Sequence, residues 1–147
     1  MRKIIPLLLL SLIQTSAFAE NLAIGRWEQF DDQTGALQSI MRIEKEDENF
    51  VGYIEKRFEL PNADEDAKDP FCSKCEGELK NKPKIGLKIM TGFKREGNEY
   101  SDGKILDANS GKIYSCKMTL SDGGNLLEVR GYFGISLFGR SQNWKRI

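Results

Sequence analysis

The most concentrated chemistry in this sequence is a pair of cysteines two residues apart, Cys72-Ser73-Lys74-Cys75. Such a pair can close a small-ring disulfide, bind a metal as thiolates, or exchange thiols with a partner. Zinc asks for four ligands, and the chain offers one further cysteine, Cys116, and no histidine. Exchange of the thioredoxin type wants the motif at a helix start after a buried strand, whereas Asp69-Pro70-Phe71 precedes it here. A structural disulfide between Cys72 and Cys75 is the first reading, with metal binding and redox exchange as alternatives. Closing so short a ring removes little chain entropy, roughly 2 kcal/mol, so its use would be to fix local geometry. Cys116 lies on one strand face with Tyr114 and Met118 and reads as a small buried hydrophobe, or else as an intermolecular or resolving thiol.

The absence of histidine removes Ser-His-Asp and Cys-His catalysis and the ordinary pH switch near neutrality. The acidic run Asp64-Glu65-Asp66 with Asp69 lacks the glycine that a calcium loop needs at its sixth position, which is Asp69 here, and reads as a solvated loop. No catalytic residue, cofactor or metal is expected, and the chain is not read as an enzyme. Its 22 basic and 22 acidic residues cancel, which argues against a nucleic-acid binder held by a basic face.

The elements that must position these residues begin after the N-terminus. Arg2 and Lys3 precede an apolar run from Ile4 to Ile13, and Ala17-Phe18-Ala19 supplies small residues at a signal-peptidase site. Residues 1–19 are therefore expected to be a cleaved signal peptide and residues 20–147 a single domain, periplasmic or secreted. The apolar run falls short of the roughly 20 residues needed to cross a bilayer, and no later segment does better.

Within that domain, glycine and Asp/Asn/Ser clusters separate short stretches that alternate in polarity. Strands are predicted over 25–30, 37–43, 50–58, 85–93, 100–106, 112–120, 125–132 and 141–147. Eight antiparallel strands could form a sandwich, but a closed up-and-down β-barrel removes exposed edges and is preferred. Strand parity points Leu37 and Met41, then Ile85, Leu87 and Ile89, then Tyr114 and Met118, and finally Leu127 and Val129 into the interior. In a closed barrel the first and last strands are neighbours. Trp27, in Gly25-Arg26-Trp27, should then lie at the closed end beneath a late arginine, with Arg140 preferred to Arg146. The stretch from Glu59 to Pro83 has no periodicity and is long for a connection, which suggests a lid or binding loop.

Gly25-Arg26-Trp27 with a late arginine resembles the signature of lipocalins and the wider calycin group. A second resemblance spans nearly the whole domain: the Cys72 to Cys75 motif, Pro83-Lys84-Ile85-Gly86-Leu87, Gly103-Lys104-Ile105-Leu106-Asp107, Gly111-Lys112-Ile113-Tyr114, Val129-Arg130-Gly131-Tyr132 and Gly139-Arg140-Ser141-Gln142-Asn143-Trp144. In order and spacing these are similar to the exported bacterial proteins grouped as DUF2147. That resemblance implies a periplasmic or secreted bacterial protein with a lipocalin-like barrel. The function expected on these grounds is binding of a small hydrophobic or amphipathic molecule inside the barrel. A non-enzymatic envelope interaction protein with a filled barrel, or a thiol-active protein using Cys72 and Cys75, are the alternatives.

Overall fold

The computed structural model describes residues 22–135 and 137–147, so the expected signal peptide lies outside the described residues. Eight antiparallel strands close into one barrel in simple sequence order. They are β1 (Gly25–Phe30), β2 (Leu37–Glu46), β3 (Asn49–Arg57), β4 (Lys88–Glu96), β5 (Glu99–Leu106), β6 (Ile113–Ser121), β7 (Leu126–Tyr132) and β8 (Gly139–Arg146). Closure is made by β1 against β8, with Trp27 opposite Arg146 and Glu28 opposite Lys145. A short α-helix, α1 (Glu65–Lys68), and a 3-10 turn (Gly77–Leu79) sit in the long β3–β4 connection.

Alternation explains most of the wall. On β6, Cys116, Met118 and Leu120 are buried while their odd-numbered neighbours are partly exposed, and β7 buries Leu127 and Val129. Two departures come from β-bulges, in which an extra residue shifts the parity of the positions after it. Register slips between Ile40–Lys56 and Met41–Ile54, which makes Glu55 the extra residue of β3. On β4, Met90 pairs with Gly52 and Phe93 with Phe50, three residues against two, and Gly92 there takes a φ of +76°. Met90 and Phe93 are therefore both buried.

The predicted fourth strand starts three residues early. Lys84 to Leu87 instead forms a turn, closed by the Leu87 amide donating to the Lys84 carbonyl at 3.1 Å, with Gly86 at a φ of +85°. That turn hangs on β3: the Gly86 amide donates to Ile54 O at 2.7 Å and the Ile54 amide to Leu87 O at 3.1 Å.

One end of the barrel is solid. Trp27, Met41, Ile43, Phe50, Met90, Phe93, Tyr100, Met118, Leu127 and Trp144 all belong to one buried cluster. Glycines make room for the large rings. A Cβ on Gly103 would lie 2.3 Å from the Phe93 ring, and one on Gly52 would lie 2.7 Å from Met90 Sδ. The Trp27 indole Nε1–H donates to Ala23 O at 2.8 Å, and the Ala23 amide donates to Tyr100 Oη at 2.9 Å.

The arginine that covers Trp27 is Arg146, not Arg140. Its guanidinium carbon stands 4.4 Å from the indole centroid. It also donates to the carbonyls of Gly124 (2.6 Å), Ile24 (2.9 Å) and Leu22 (2.5 Å). Arg140 has the same parity, but six residues of extended chain place it about 20 Å further along β8, at the other rim. There it pairs with Asp32 in the β1–β2 turn.

Candidate functional site

The half of the barrel opposite Trp27 is hollow. A cavity of about 940 Å³ opens there, bounded by the barrel wall and by the β1–β2, β3–β4 and β5–β6 connections. Its apolar surface comes from Ile54, Ile89, Ile105, Tyr114 and Val129, carried on β3 to β7. Gly131 on β7 adds space: a Cβ there would come no closer than 3.8 Å to Ile105 and 3.9 Å to Tyr114.

The facing wall, from β8 through β1 to β2, is polar and internally bonded. Ser39 Oγ donates to Gln29 Oε1, and Gln29 Nε2 donates to Gln142 Oε1 at 3.0 Å. Trp144 Nε1, at the boundary with the packed half, donates to the same Gln142 oxygen at 3.2 Å. Gln142 Nε2 in turn donates to Asp32 at 3.2 Å, where Arg140 also binds. Buried polar groups are tolerable when each is satisfied, and this chain of amides leaves one face of the cavity wet and the other greasy.

A third stretch of lining is cationic. Arg57 ends β3, and because Glu55 is bulged it lies opposite buried Ser39 and so shares the inward face. Lys84 follows Pro83 and is buried, with its ammonium donating to Asp66 O at 2.6 Å and to Asn109 Oδ1 at 2.8 Å. Burial first, and the positive charge of Arg57 second, hold Lys84 below the usual lysine range. Parity reading missed both residues. Ile54 being inward makes Lys56 look inward too, and only the bulge brings Arg57 round. Lys84 stood inside the Pro83 to Leu87 motif, but its place in a turn carried no periodic signal.

Of the interior residues expected from the sequence, Ile85, Ile89, Tyr114 and Val129 line the cavity. Met41, Leu87, Met118 and Leu127 do not: they are buried in the packed core. Leu37 is only partly buried beside Phe30 at the start of β2, outside the lining. Parity selects the inward face but carries no information about depth along the barrel axis. Ile85 is 58% exposed, so it borders the opening rather than the interior.

The long connection is ordered by its own hydrogen bonds. Asp64 caps α1 by accepting from the Ala67 amide at 2.8 Å. Cys72 and Cys75 form a disulfide, which excludes them as thiolate ligands in this state. The Cys72 amide donates to Lys82 O at 2.8 Å and the Lys84 amide to Pro70 O at 2.9 Å. Residues of its first part, from Phe58 to Lys68, and of its last, Lys84 and Ile85, line the cavity. The disulfide end packs instead on the β5–β6 turn, where a Cβ on Gly111 would lie 2.0 Å from Lys74 O.

Cys116 is the free thiol, fully buried between Gly103 and Gly131 of the flanking strands. Burial pushes its pKa up from 9.0 to about 12. A thiol raised on folding stabilises the protein below the unfolded pKa, and that contribution is lost as pH rises. Stability should therefore fall between about pH 9 and 12 by at most about 1.4 kcal/mol per unit beyond the slope of Cys116→Ala. Denaturant titrations across that range check this, and identical slopes for the two proteins would refute it. A thiol reagent should label the native protein poorly and the unfolded, unreduced protein once.

A meander of eight strands closed on itself, capped at one end by a stacked tryptophan and hollow at the other, defines a lipocalin-like barrel. The solved structure of HP1028 from Helicobacter pylori, described as belonging to the lipocalin family, superposes with a TM-score of 0.70 at 17% identity, covering 86% of this chain and 83% of that one. The profile of the family described as "Uncharacterized protein conserved in bacteria (DUF2147)" matches residues 25–146, and the chain belongs to that family. No curated protein matches the sequence.

Proposed function

We propose that this protein is an exported, non-enzymatic binding protein for a small amphipathic molecule, held in the open half of the barrel. The observation that carries the reading is the cavity itself. Its volume of about 940 Å³ lies within the range of roughly 300–1,000 Å³ usual for small-molecule sites. One wall of isoleucine, valine and tyrosine facing another of bonded amides suits a ligand with an apolar body and a polar end. Export is supported by the charged, apolar and small-residue order of residues 1–19, and non-enzymatic character by the lack of histidine in the whole sequence. The filled-barrel alternative draws support only from the Trp27 half.

The test is binding of an environment-sensitive amphipathic fluorophore to the purified protein. Saturable uptake at one site is expected, together with its loss in Gly131→Phe, which places a ring beside Ile105 and Tyr114 in the cavity. No uptake by the folded wild-type protein, or equal uptake by Gly131→Phe, would overturn the assignment.

A further inference from the structure

Arg57 and Lys84 are held against the same short stretch of chain. Arg57 donates to Ala67 O at 2.5 Å and to Asp69 O at 3.4 Å, while Lys84 donates to Asp66 O. Every one of these acceptors is neutral, as is Asn109. Among the described residues, neither cation has a carboxylate within ion-pair distance, although acidic side chains surround them.

Those acids are already engaged elsewhere. Asp66 pairs with Lys74, and Asp69 accepts from Ser73 Oγ and the Phe71 amide. Asp107 accepts from the Asn109 amide and from Ser110, Asp64 caps α1, and Asp31 is bonded to Thr34. Asp32 pairs with Arg140. Glu59, the remaining carboxylate of the lining, is exposed.

Capping backbone carbonyls asks only for a neutral donor. Two adjacent positive charges drawn from water to do it, attracted by Asp66, Asp69 and Asp107 without a contact ion pair to any of them, carry desolvation and mutual repulsion that a glutamine would avoid. Donor counting agrees. A guanidinium has five N–H groups and an ammonium three, and each residue uses two toward the protein. Both residues border the cavity, Arg57 half-buried and Lys84 almost wholly covered.

We propose that Arg57 and Lys84 form an oxyanion subsite, and that the ligand of this barrel is an amphipathic anion whose carboxylate or phosphate head is held there while its tail lies along Ile89, Ile105, Tyr114 and Val129. The proposal rests on the small-molecule reading above and narrows it to a ligand class. Charge-assisted hydrogen bonds in a partly dry site are strong enough to select the head group, and they complete the neutralisation that the protein's own carboxylates leave undone.

The test compares four probes with one tail: dodecanoate, dodecyl phosphate, dodecanol and dodecyltrimethylammonium, each competed against the fluorophore. Either anion should bind the wild-type protein at least about tenfold more tightly than dodecanol, and the cation should be weakest. In Arg57→Gln and Lys84→Gln, which remove the charge and leave a shorter neutral donor, that preference should shrink while dodecanol affinity stays within about twofold. A structural role alone would weaken all four probes together and leave their ratios unchanged, which would overturn the subsite. Should a variant fail to fold, the wild-type ratios decide: dodecanol binding as well as both anions refutes the anion site and leaves the binding-protein reading intact. Failure of all four to displace the fluorophore would refute both.

Discussion

Replacing Trp27 with alanine is expected to cost about 3–5 kcal/mol of folding stability, read from the shift of a denaturant midpoint. The side chain is wholly buried in the densest part of the barrel, so its removal leaves a cavity that the closed sheet cannot collapse into. It also strips Ala23 O of its donor and Arg146 of the ring beneath it. Arg146→Ala should cost less, about 1–3 kcal/mol, because stacking and three carbonyl bonds are lost but no large void appears. Arg140→Ala should stay within about 0.5–1 kcal/mol, since its partner is an exposed carboxylate at the far rim. A larger effect at Arg140 than at Arg146 would contradict the assignment of Arg146 as the cover.

This end of the barrel was legible in the sequence because its signals are local. Gly25-Arg26-Trp27 marks a strand start, the alternation of Tyr114, Cys116 and Met118 marks an inward face, and Asp122-Gly123-Gly124 marks a turn. The choice between two late arginines was not legible. It turns on which lies beside Trp27 across the β1–β8 seam, and that register is set by the rest of the barrel. The same limit explains the interior residues. Met41 and Val129 look alike as alternating apolar positions, yet one packs among rings and the other borders empty space, because depth depends on the tilt and stagger of every strand.

The polar half was less legible still. Gln29, Ser39 and Gln142 are inward residues that hydrophobic patterning passes over, and their bonding to one another becomes visible only when β8, β1 and β2 are side by side. Arg57 required a one-residue bulge to face the cavity, and a bulge at Glu55 leaves no composition mark. The long connection was recognised as unusual by its length and its cysteine pair. That it forms cavity wall with one part and packs on the β5–β6 turn with another depends on a contact far apart in sequence, Lys74 against Gly111.

That contact supplies the second large expected effect. Gly111 holds a φ of +77° in the turn where its own amide donates to Asp107 O at 2.8 Å, and a Cβ there would meet the Lys74 carbonyl, its oxygen at 2.0 Å and its carbon at 2.6 Å. Gly111→Ala should therefore lose roughly 2–6 kcal/mol, combining a left-handed backbone cost of about 1–3 kcal/mol with a clash against rigid backbone of similar size. Gly97→Ala separates the two, because Gly97 has a φ of +61° with nothing within 4 Å of the added carbon. It should show the backbone cost alone. If the strain in Gly111→Ala is relieved by the loop lifting off the turn, the amides of Cys72 and Lys84 should exchange faster than those of β6, and amphipathic probe affinity should fall with them, since Lys84 reaches the cavity through this loop. Equal stability loss in Gly97→Ala and Gly111→Ala, with unchanged exchange at Cys72, would show that the Lys74 contact does not hold the loop in place.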